Sequence, residues 1–158
     1  MEDLGDVLLA DNLASASADV LYERALKILG RFVGGPITSS PLPAFDDERI
    51  RSELAVFPEW FLTQLLGLSP ASLPKNLLAK LTQLLSQNFR EQPRCLVHRD
   101  FHSRNLMCTG PESLAVIDFQ DAVLGPITYD PVSLLKDCYI RWPRAQQLAW
   151  LDGYLLQL

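Results

Sequence analysis

Histidine and cysteine are scarce in this sequence, with only two and three among its 158 residues. Cys95, Cys108 and Cys138 are an odd number set in apolar stretches. They are therefore expected to be buried free thiols in a reducing compartment rather than a disulfide framework. No apolar run approaches the roughly 20 residues that a membrane-crossing helix needs. The opening Met1-Glu2-Asp3-Leu4-Gly5-Asp6 lacks the positive region and apolar core of a secretory signal. Together these absences predict a soluble cytoplasmic protein with no membrane partner. Positive charge is also in short supply: 14 Lys and Arg stand against 19 Asp and Glu, for a net charge of −5. The basic residues are scattered and form no stripe, which argues against nucleic acid as a partner. Carboxylates leave room for a divalent-cation site, which needs them.

Apolar residues, by contrast, make up 48% of the chain, enough for a single buried core. There is no internal repeat. Leu21, Ala25, Ile28, Leu29 and Phe32 fall on one face of a helix that Ser17 can cap and Gly34-Gly35-Pro36 can end. Three prolines and two serines over residues 36–44 predict a surface connection. Asp46 or Asp47 opens a second helix, with Ile50, Leu54 and Phe57 facing inward. Pro58 should kink or restart it, and Trp60, Phe61 and Leu65 continue the apolar face. A third helix, with Ser72 as cap and Pro74 in its first turn, gathers Leu77, Leu78, Leu81, Leu84 and Leu85 into a core stripe.

The pattern changes after residue 94. Cys95-Leu96-Val97 reads as a strand, and Leu106-Met107-Cys108 and Leu114-Ala115-Val116-Ile117 read as two more around a turn at residues 109–113. Asp130-Pro131 marks a helix start, with aspartate as cap and proline in the first turn. Val132, Leu135 and Tyr139 belong to that helix, and Leu148, Leu151 and Leu155 to a last one.

The chemistry concentrates in His98-Arg99-Asp100-Phe101-His102-Ser103-Arg104-Asn105 and in Val116-Ile117-Asp118-Phe119. A turn at 109–113 puts Leu106 opposite Ile117 and Cys108 opposite Ala115, within one residue. Asn105 and Asp118 then meet at the open end of the hairpin, where the loop carrying Asp100 also enters. Such an oxygen-rich cluster suits magnesium, which takes a few protein oxygens and completes its octahedron with phosphate and water. Phosphoryl transfer further asks for a carboxylate that orients the attacking hydroxyl. Asp100 suits that part, with Asn105 and Asp118 as metal ligands. His-x-Asp-x-His could instead offer zinc ligands, but two histidines are few for an imidazole-rich hydrolase centre.

These segments closely resemble the catalytic loop and metal-binding aspartate of the protein-kinase-like superfamily. His102 in place of a lysine, Asp118-Phe119-Gln120 in place of Asp-Phe-Gly, and the short run Gly125-Pro126-Ile127-Thr128-Tyr129-Asp130 into the next helix resemble its aminoglycoside phosphotransferase branch. Within the branch, His98 to Met107, Ile117 to Asp121, Gly125 to Asp137 and Phe57-Pro58-Glu59-Trp60-Phe61 are similar to bacterial anomeric kinases of N-acetylmuramate and N-acetylglucosamine.

The resemblance implies an α+β fold: a mostly helical kinase-like C-terminal lobe with a small β-hairpin carrying the metal site. It implies an ATP-dependent kinase with Mg2+, acting on a hydroxylated amino sugar in cell-wall recycling. His98 and Asp130 would support the catalytic loop. Asp3 and Leu4 would lie in the interlobe hinge that pairs with adenine, and Asp121, Arg104 and Glu59 are candidate substrate contacts. Arg99 matches an arginine that pairs with a phosphorylated segment in many protein kinases, a segment with no counterpart here. Residues 1–158 are expected to be a partial lobe beginning at the hinge, with the N-terminal ATP-binding lobe and the final C-terminal helices absent. Two alternatives stand beside this reading. One is an aminoglycoside phosphotransferase, although such a polycationic substrate calls for more carboxylates than lie near the motif. The other is a catalytically inactive kinase-fold fragment.

Overall fold

The computed structural model describes residues 3–13, 18–35, 41–110 and 113–158. They fall into two units, one comprising Met1–Pro43 and Arg94–Leu158, the other Ala44–Pro93.

The first unit opens with a short extended stretch and a single helical turn, α1 (Leu9–Asn12). The extended stretch runs beside a later strand, with Val7 accepting the Cys108 N–H at 2.8 Å. Helix α2 (Ala18–Val33) buries Leu21, Tyr22, Ala25, Leu26 and Leu29, a 3.6-residue stripe. Ile28 and Phe32 pack at its margin. Ser17 and Pro36, expected as cap and stop, lie outside the described residues. The Gly34 N–H bonds to Gly30 and the Gly35 N–H to Phe32, closing the last turn.

The second unit is helical. Asp46 caps α3 (Asp47–Val56) by accepting the Arg49 N–H at 3.0 Å, satisfying one of the open donors of the first turn. At Pro58 the chain restarts as a π-helical segment, Phe57–Leu65. Proline brings no N–H of its own, so it fits the first positions of a newly phased helical segment. Helix α4 (Lys75–Glu91) follows. Ser72 does not cap it; its hydroxyl donates to the Ser69 carbonyl at 2.7 Å. Phe45, Ile50 and Ser86 are buried in this unit, and Phe45 packs on Phe89. The expected inward faces are otherwise open within it: Phe57, Trp60, Phe61 and Leu65 are exposed, and so are Leu77, Leu81 and Leu84 of the leucine stripe.

Back in the first unit, β1 (Arg94–Val97) pairs antiparallel with β4 (Val123–Pro126), and β2 (Leu106–Gly110) with β3 (Ser113–Val116). Strand β4 adds to the sequence reading, in which the run from Gly125 leads directly into the next helix. Pro126 lies at the strand end opposite Arg94, a position where a missing N–H is tolerated. The β2–β3 register is Leu106 to Val116 and Cys108 to Leu114, one residue from the expected pairing.

Helix α5 (Tyr129–Leu135) begins before Asp130, whose carboxylate is committed elsewhere instead of capping. It stops short of Tyr139, and Val132 faces solvent. Helix α6 (Arg144–Leu155) buries Gln147, Trp150 and Tyr154, whereas Leu148 and Leu155 are exposed. Aromatic packing sets that rotation. Trp150 stacks on Tyr22 with centroids 4.1 Å apart, and Trp142 meets Tyr22 edge-on. The polar atoms of this buried trio are answered: Trp142 Nε1 donates to Tyr22 Oη at 2.7 Å, and Trp150 Nε1 to Asp19 at 2.9 Å. Burial pushes the Tyr22 phenol up to about 12. Cys95 is buried, Cys108 half-buried and Cys138 exposed, so only one thiol is buried as expected, and all three are free.

Candidate active site

The loop from His98 to Asn105 links β1 to β2, and everything around it serves to hold its backbone. Arg99 adopts φ 78°, a left-handed conformation that costs a side-chain-bearing residue about 1–2 kcal/mol. Asp130 compensates. Its two carboxylate oxygens accept the His98 N–H at 2.7 Å and the Arg99 N–H at 3.0 Å. Burial pushes its pKa up to about 6, against the pull of these two donors. His98 is 1% exposed, and its Nε2 lies 3.0 Å from the Ile117 carbonyl, an arrangement in which the ring nitrogen donates. Burial holds the imidazole below its ordinary pKa, favouring the neutral ring. His98 thus ties β1 to the end of β3 and is sequestered from solvent.

The second half of the loop has its own anchor. Asp137 is buried; one carboxylate oxygen accepts the Ser103 N–H at 2.9 Å and the other the Tyr139 N–H at 2.8 Å. The Ser103 carbonyl accepts the Ala10 N–H at 3.1 Å. Phe101 is fully buried in the core next to Leu106 and Leu134. Two buried carboxylates, Asp130 and Asp137, therefore clamp the loop at its start and middle. Sequence reasoning missed Asp137; its only signal was a carboxylate embedded in Leu134-Leu135-Lys136-Asp137-Cys138.

Held this way, the loop ties the Asn105 side chain to the Asp100 backbone and its main chain to the residue before Asp118. Asn105 Nδ2 donates to the Asp100 carbonyl at 2.9 Å, and Asn105 Oδ1 is an acceptor with no bond of its own among the described residues. The Asn105 carbonyl accepts the Ile117 N–H at 3.1 Å, so the hairpin ladder continues one step and sets Asp118 next in line. Asp118 has φ 68°, a left-handed turn that aspartate tolerates better than most residues. One of its oxygens accepts Gln120 Nε2 at 2.8 Å. Asp100 and Asp118 are exposed and Asn105 half-buried. Asp121 lies in the turn closed by Ala122 N–H on the Phe119 carbonyl, ahead of a strand, so it caps no helix. Arg104 lies over the Tyr139 ring, 4.3 Å from its centroid, while His102 meets the same ring edge-on at 5.3 Å.

The remaining candidates lie away from this cluster in the sequence. Asp3 accepts the Gly5 N–H at 2.9 Å, and Leu4 is half-buried, in the segment that leads to the strand-like pairing with β2. Glu59 belongs to the other unit, where it lines a cleft of about 380 Å3 with Pro58, Trp60 and Thr63. Trp60 is 64% exposed, not a core tryptophan. Among the described residues no group of three or more His, Cys, Asp or Glu is poised to hold a metal.

Comparison with known proteins converges on one family. A family model described as the phosphotransferase enzyme family matches residues 1–158. An N-acetylmuramate/N-acetylglucosamine kinase of Pseudomonas putida is 41% identical over 155 residues, covering 98% of this chain and 45% of the relative. The kinase of the same name from Pseudomonas aeruginosa is 39% identical over 154 residues, with the same coverage. That from Neisseria meningitidis is 44% identical over 101 residues, covering 64% of this chain and 30% of the relative. The chain thus spans less than half the length of the curated relatives it matches. With a match along its whole length, this chain belongs to the phosphotransferase enzyme family.

Proposed function

We propose that the protein carrying this chain transfers the γ-phosphoryl group of ATP to the anomeric hydroxyl of an N-acetylated amino sugar. N-acetylmuramate and N-acetylglucosamine are the proposed acceptors, by similarity to relatives that bear those names. In this reading residues 1–158 form part of the C-terminal lobe, beginning at the hinge, and the work is done in the cytoplasm during cell-wall recycling. The observation that carries the proposal is Asn105, whose side-chain amide donates to the Asp100 backbone carbonyl while its backbone carbonyl accepts the Ile117 N–H, one residue before Asp118. That backbone arrangement supports a reading in which Asp100 serves the acceptor hydroxyl and Asn105 and Asp118 serve a cation.

Asp100 orients the acceptor hydroxyl and takes its proton as the oxygen attacks the γ-phosphorus and the bond to the ADP oxygen breaks. The donor set fits magnesium chemically. Asn105 Oδ1 and the Asp118 carboxylate are hard oxygens, and few in number, as Mg2+ requires when phosphates and water supply the rest. When bound, the ion would neutralise charge on the phosphates. Asp118 keeps one oxygen in place through Gln120, and Asn105 is oriented by its bond to the Asp100 carbonyl. Asp130 and His98 hold the loop, Asp3 and Leu4 adjoin adenine, and Arg104, Asp121 and Glu59 are proposed acceptor contacts.

An aminoglycoside acceptor is less well served. Asp121 is the carboxylate nearest in sequence to Asp118, whereas Arg104 presents a cation beside the loop. The experiment is steady-state kinetics on the whole protein with Mg-ATP and either amino sugar. Asp100→Ala should lower kcat by about two to four orders of magnitude, the usual worth of a positioned acid–base group. Retention of near-normal turnover would remove Asp100 from this role.

A further inference from the structure

We infer that the cleft beside Tyr139 is an anion subsite that recognises a carboxylate on the acceptor sugar. The inference rests on the amino-sugar reading above and adds to it a basis for choosing between an acidic and a neutral acceptor.

The cleft has a volume of about 460 Å3 and is lined by Lys136, Asp137, Tyr139, Arg141, Trp142 and Arg144. Lys136, Arg141 and Arg144 are all exposed, and none is paired with a carboxylate among the described residues. The one carboxylate in the lining is Asp137, and both of its oxygens already accept backbone N–H groups. Three cations against one carboxylate give this wall a positive excess in a chain whose net charge is −5.

Position gives the charge its meaning. Tyr139 lines the cleft and also touches the catalytic loop, because its ring carries the Arg104 guanidinium and the His102 imidazole. Arg104 adds a fourth cation at this rim, one residue from Asn105, and its charge rests on a ring face, not a carboxylate. Asp137 fixes both sides at once, holding Ser103 in the loop and Tyr139 in the cleft wall. The cleft is therefore one aromatic side chain away from the loop that carries Asp100. An acceptor whose hydroxyl reaches Asp100 can extend an anionic substituent over Tyr139 toward Arg141 and Arg144. Guanidinium groups suit that partner, because their planar fork of donors matches a carboxylate. N-acetylmuramate carries such a group, a lactyl ether carboxylate, and N-acetylglucosamine does not. A polycationic acceptor would be repelled.

The test is the specificity ratio. With the whole protein, Arg141→Met and Arg144→Met should lower kcat/KM for N-acetylmuramate by about ten- to a hundredfold, the worth of a lost charge-assisted hydrogen bond. The loss should appear as a higher KM. Activity toward N-acetylglucosamine should stay within about twofold, and the KM for ATP should not move. Rising ionic strength should erode the wild-type advantage of the acidic sugar. A parallel loss for both sugars would overturn the subsite, as would a raised KM for ATP, which would assign these cations to the nucleotide phosphates. A wild-type protein that phosphorylates neither sugar is a different failure and would sink the functional reading itself.

Discussion

Asp130 shows how much one residue is asked to do. It is buried and raised to about 6, yet it is the acceptor for two consecutive backbone N–H groups at a strained turn. The sign of its pH effect follows. A folded-state pKa above the unfolded value near 4 means that the native state holds the proton more tightly. The contribution of this group to stability is therefore greatest below about pH 4 and declines as pH rises to about 6. Denaturant melts across that window should show the decline, and Asp130→Asn should flatten it. Asp130→Ala strands two buried donors, each costing about 1–3 kcal/mol, and should destabilise accordingly at every pH. An unchanged melt for the alanine variant would mean that the clamp contributes nothing.

Thiol reactivity offers a second test at this scale. Cys138 is exposed, whereas Cys95 is buried and its thiol is pushed up to about 11, chiefly by desolvation. Alkylation of the native protein at pH 7.5–8 (about the range where an ordinary thiol begins to ionise) should label Cys138 rapidly and spare Cys95 until unfolding. Mass spectrometry of the digested protein reads the order directly; early labelling of Cys95 would contradict its burial.

Among the elements, α2 and α6 are joined by the Tyr22–Trp142–Trp150 cluster, so this contact should dominate the stability of the first unit. Trp150→Ala removes a stacked, hydrogen-bonded indole and should cost about 3–5 kcal/mol in thermal or chemical unfolding. Leu148→Ala, on the exposed face of the same helix, should cost well under 1 kcal/mol. Equal losses would place the wrong face inward. The sequence assigns Leu148, Leu151 and Leu155 to this helix; the aromatic stack turns Trp150 and Tyr154 inward and leaves Leu148 and Leu155 exposed.

The hairpin, by contrast, was legible to within one residue, because two apolar runs flanking a short polar turn leave little freedom in register. Asn105 and Asp118 could be brought together from sequence for that reason. Strand β4 was not legible, because its partner is remote in sequence. Asp137 and Tyr139 escaped notice because an expected continuation of α5 hid the loop they occupy.

At the scale of the whole molecule, the described residues leave much apolar surface open. Trp60, Leu65, Leu77 and Leu84 are each more than 60% exposed, all within Ala44–Pro93. Exposed apolar surface binds hydrophobic dyes. The isolated 158-residue chain should enhance ANS fluorescence, and Leu77→Glu with Leu84→Glu should reduce that signal while changing stability by less than about 0.5 kcal/mol. A large loss of stability in the double variant would show that these leucines are core after all.

The central claim is about chemistry, and its most direct test follows the phosphorus atom. The whole protein would be incubated with Mg-ATP and N-acetylglucosamine, and the products followed by 31P NMR. The account predicts ADP and a sugar phosphate in equal amounts, the new phosphate attached at the anomeric carbon and absent when Asp100 is replaced by alanine. Phosphate appearing only as the inorganic ion, or transferred to a non-anomeric hydroxyl, would contradict it.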